Sequence, residues 1–142
     1  MPDALLALHV LAGTAGLVLG PGWLLARWRH RGGAGMAAGY QVAVAGVALS
    51  GAALAVAVPG LAWLCAVAVL TQGLAVAGAL ARRRGWRTWR TLQPHLLGGS
   101  YAALLTGALV AGTGSPVWWV VPAVVAQVPI AVAKRRLHAL PA

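Results

Sequence analysis

The chain has almost no acid. Asp3 is the only acidic side chain in 142 residues, and it precedes the first long apolar stretch. This leaves no carboxylate for proton coupling inside a membrane, for binding Mg²⁺ or Ca²⁺, or for orienting a histidine as in a hydrolytic triad. Charge of either sign is also scarce, at 8% of residues, against 61% hydrophobic and a mean hydropathy of +0.82. A soluble domain carries roughly 25% charged residues, so this composition cannot build a water-facing surface and lipid is the expected solvent. Cys65 is the single cysteine, which excludes an intrachain disulfide. No phosphate-binding glycine loop is present, because the glycines recur at helical spacing within apolar runs. Hydrolytic or transfer chemistry would rest on His, Ser and Tyr alone, which weighs against an enzyme.

The net charge of +10 at first suggests nucleic acid as a partner. The positions of the cations argue otherwise. They fall in three groups: Arg27, Arg29 and Arg31; Arg82, Arg83, Arg84, Arg87 and Arg90; and Lys134, Arg135 and Arg136. Each group ends one apolar run or begins the next, as positive-inside topology requires. Contact with anionic headgroups is a generic further consequence.

Five spans follow, at about 4–26, 37–58, 61–81, 92–112 and 116–133. Each is long enough to cross the roughly 30 Å hydrocarbon layer. The fold expected is all-α: one integral membrane bundle of five transmembrane helices, N-terminus outside and C-terminus cytoplasmic. All eleven cations then lie inside, which points to the bacterial cytoplasmic (inner) membrane. The first span has no basic residues before it and several after, the reverse of a secretory signal, so it is expected to stay in the mature protein. Gly20-Pro21-Gly22 predicts a kink there, and Pro122 and Pro129 predict a bent or partly unwound last span. The segment from Arg82 to Thr91, with Trp86 and Trp89, reads as a basic turn lying flat on the membrane. Small residues one helical turn apart (Gly16 and Gly20; Gly99, Ala103 and Gly107) mark faces for close helix packing.

Polar groups within spans require partners. At the helical rise, Gln41 and His95 lie roughly 6 Å from the cytoplasmic end of their spans. Gln127 lies at about 9 Å, Ser100 at about 12 Å and Gln72 at about 14 Å. With Tyr101, these residues are either interhelical hydrogen-bond partners or the lining of an inner-half polar cavity. The outer half holds little beyond His9 and Thr14. Pro94 reads as a helix start, which places His95 where the helix dipole favours a neutral imidazole, the form a metal or haem needs. His95, with His30 or His9, is therefore the candidate ligand set for a b-type haem. Two histidines without a carboxylate or thiolate make a poor zinc site, so no metal site is assigned.

The run from Gln93 to Thr106, QPHLLGGSYAALLT, resembles a stretch in bacterial multi-pass membrane proteins known only as domain of unknown function 2306. There too a histidine is followed by Gly-Gly-Ser-Tyr and then Leu-Thr. Leu8-His9 with Gly20-Pro21, His30-Arg31, Pro116-Val117-Trp118-Trp119 and Pro129 are similar as well. This chain departs in having Leu97 where members tend to have methionine before Gly-Gly, and in a glycine-richer loop after His30. The resemblance implies a membrane bundle and singles out His9, His30, His95, Ser100 and Tyr101. It implies no activity.

Three functions fit this reading. The first is a non-catalytic structural or assembly subunit, forming a homo-oligomer or joining other membrane chains in the bilayer. The second is small-ligand binding or transport through the polar cavity. The third is electron transfer by a b-type haem or quinone.

Overall fold

In a computed structural model, residues 2–29 and 33–139 are described. His30 and Arg31 lie outside the described residues. The described chain is helical, with no strand among those residues. Its long helices are α1 (Pro2–Trp28), α2 (Ala34–Ala57), α3 (Trp63–Arg83), α4 (Trp89–Thr113) and α5 (Val121–His138), with a short 3₁₀ turn at Pro116–Trp119 before α5. Five segments are long and apolar enough to cross a membrane, the last running Pro116–His138.

The chain divides within α3 into two compact units, Met1–Gln72 and Gly73–Ala142. In the first unit α1 and α2 form a closely packed antiparallel pair. Leu19 lies against Gly39, Ala12 against Gly46 and His9 against Gly51, so residue numbers in contact sum to nearly the same value along the hairpin. A methyl group on Gly46 would come within 3.2 Å of Ala12 Cβ, and one on Gly39 within 3.2 Å of Leu19 Cδ1. Small residues on α2 thus let the backbones approach, the usual basis of helix association in lipid. Val44 is completely buried in this unit.

In the second unit α4 packs on both α5 and the C-terminal half of α3. The tightest approaches are at Gly98 and Gly78. A Cβ on Gly98 would collide with the Ile130 side chain of α5, and one on Gly78 would lie 2.7 Å from Leu97 Cγ. Gly114 ends α4 in the left-handed conformation (φ 67°), its N–H bonding Val110 O. This is a glycine C-terminal stop.

Two local expectations need correction, the helix start at Pro94 and the flat basic turn. α4 begins at Trp89, so Pro94 lies inside the helix instead of starting it. Pro94 there forgoes the one backbone bond its nitrogen would make to Arg90 O, and the rest of the helix continues around it. The basic segment Arg82–Thr91 is not one flat turn. Arg82 and Arg83 belong to the last turn of α3 and Arg90 to the first turn of α4, leaving only 84–88 as connection. α1 continues as one helix through Pro21. In the last span the irregular backbone falls ahead of Pro122, at the 3₁₀ turn and Val120, whereas the helix runs through Pro129. Pro122 sits near the start of α5, where its missing N–H costs nothing.

Candidate functional site

Four polar side chains within the helices turn back on their own backbone. Thr14 Oγ1 donates to Val10 O (2.8 Å), Thr71 Oγ1 to Val67 O (2.7 Å), Thr113 Oγ1 to Leu109 O (2.7 Å) and Gln127 Nε2 to Ala123 O (3.1 Å). Each reaches the carbonyl four residues earlier, a bond that uses a hydroxyl hydrogen or one amide hydrogen in an apolar medium without a second helix.

His9 and Ser50 instead meet across two helices of the first unit. His9 Nδ1 lies 3.0 Å from Ser50 Oγ. Ser50 has a single hydroxyl hydrogen, and its Oγ is 2.6 Å from Gly46 O and 3.2 Å from Val47 O. Carbonyls only accept, so that hydrogen is committed to α2 and Ser50 must accept from His9. The imidazole therefore carries its proton on Nδ1, and when neutral it presents Nε2 as an acceptor.

His95 reaches the same state by a different route. Its Nδ1 is 2.7 Å from Thr91 O, and a carbonyl again requires the nitrogen to donate. His95 is the seventh residue of α4 and about 9 Å along it by the helical rise, beyond the first turn where the dipole acts. The dipole argument from sequence is thus replaced by a hydrogen bond, and the ring itself is exposed. Thr91 Oγ1 is in turn 3.1 Å from His138 Nε2 on α5, so one threonine contacts two histidines.

The residues proposed for a polar cavity divide between the units. Gln41 and Gln72 belong to the first; His95, Ser100, Tyr101 and Gln127 belong to the second. Ser100 is completely buried, Gln41, Gln72 and Tyr101 are partly buried, and His95 and Gln127 are exposed. Gln72 Oε1 is a buried side-chain oxygen with no hydrogen-bond partner. Of the packing residues, Gly16 is buried and Gly99 approaches Leu74 (3.4 Å for an added Cβ), whereas nothing lies within 4 Å of a Cβ on Gly107. Ala103 is partly buried, as is Gly20.

Sequence reasoning missed three polar residues that the fold buries: Ser50, Thr71 and Gln93. Ser50 was within reach, since an antiparallel pairing across a short loop places it opposite His9. Gln93 was hidden by the expectation that the helix began there.

Among the described residues no group of three His, Cys, Asp or Glu comes together to hold a metal ion. No family model matches the chain, and neither a curated protein nor a solved structure is found similar to it.

Proposed function

We propose that the chain is a five-span protein of the bacterial cytoplasmic membrane, N-terminus outside and C-terminus inside. It acts as a non-catalytic subunit of a membrane assembly, as a homo-oligomer or with other membrane chains. The observation that supports this reading is the turn of four polar side chains onto their own helices. Thr14, Thr71, Thr113 and Gln127 bond to their own helices, so these four groups are taken up within single helices. The apolar surface supports it: only 6% of the spanning window of α1 is buried, and Leu11, Val18, Leu49, Val56 and Val69 are all more than 65% exposed. Such faces need lipid or other helices against them. The test is the mass of the protein in mild detergent. An assembly larger than one chain is expected; a strictly monomeric species would contradict it.

One observation favours the second reading, small-ligand binding. A buried amide oxygen without a donor costs about 1–3 kcal/mol, and Gln72 Oε1 is one. A ligand with a hydrogen-bond donor would satisfy it. Gln72→Leu then abolishes binding without loss of folding.

A further inference from the structure

We draw no further inference here: the strongest candidate, the face of α2 that leaves Val42, Leu49 and Val56 exposed, is an unpartnered apolar surface, and nothing in the structure shows whether lipid or a second copy of the chain covers it.

Discussion

The imidazole of His9 donates to the hydroxyl of Ser50 across the α1–α2 pair, at 3.0 Å, because Ser50 has already given its own hydrogen to Gly46 O. Ser50→Ala removes the acceptor and leaves a donor unmatched between two helices. The loss expected is about 0.6 kcal/mol, the average for such bonds in membranes, with about 1.7 kcal/mol as an upper bound. Reversible unfolding in mixed detergent reads it. A variant as stable as the parent would mean that the bond contributes nothing to the pairing.

Close approach in the second unit depends on two glycines outside the regular stripe. Gly98→Ala drives a methyl into Ile130, and Gly78→Ala drives one into Leu97. Each is expected to destabilise by about 1–3 kcal/mol, the usual range for overpacking. Gly107→Ala meets nothing and should be close to neutral. Ile130→Ala placed on top of Gly98→Ala should recover part of the loss. Thermal denaturation of the four variants checks the order, and a Gly107→Ala defect larger than that of Gly98→Ala would contradict it.

Gln72 separates the two functional readings. If the chain is an assembly subunit, Gln72→Leu removes an unpartnered acceptor and should raise stability by about 1 kcal/mol with assembly unchanged. Loss of a co-purifying small molecule on the same substitution would favour the ligand-binding reading instead.

His9 and His95 each present an Nε2 acceptor when neutral, which is the form a haem iron would take. The assembly reading predicts an absorption spectrum without a Soret band in protein purified from cells supplied with haem. A Soret band that disappears in His95→Ala would instead make the chain an electron-transfer subunit.

The helical fold was legible because the apolar runs are long and interrupted only at Arg clusters and Gly-Pro turns. Boundaries were less so. Pro94 looked like a helix start, yet Trp89 to Gln93 continue the helix ahead of it, since proline forbids only the bonds its own ring blocks. The packing glycines were harder still. Gly99, Ala103 and Gly107 repeat every turn, but the sharpest contact is at Gly98, one residue round the helix, because Ile130 of α5 faces that side. A periodic stripe shows that a smooth face exists, while the partner's side chains decide which residue is touched. Of the candidate site, His9 was identified without Ser50, because spacing along one helix does not show what a neighbouring helix brings.

The account depends most on the side of the membrane that holds the arginines. In a Cys65→Ala background, Arg87→Cys and Ser115→Cys can be labelled in intact cells with a membrane-impermeant maleimide. The account predicts that Ser115→Cys reacts from outside and that Arg87→Cys reacts only after the membrane is opened. Labelling of Arg87→Cys in intact cells would contradict the five-span topology and the inward placement of every basic group.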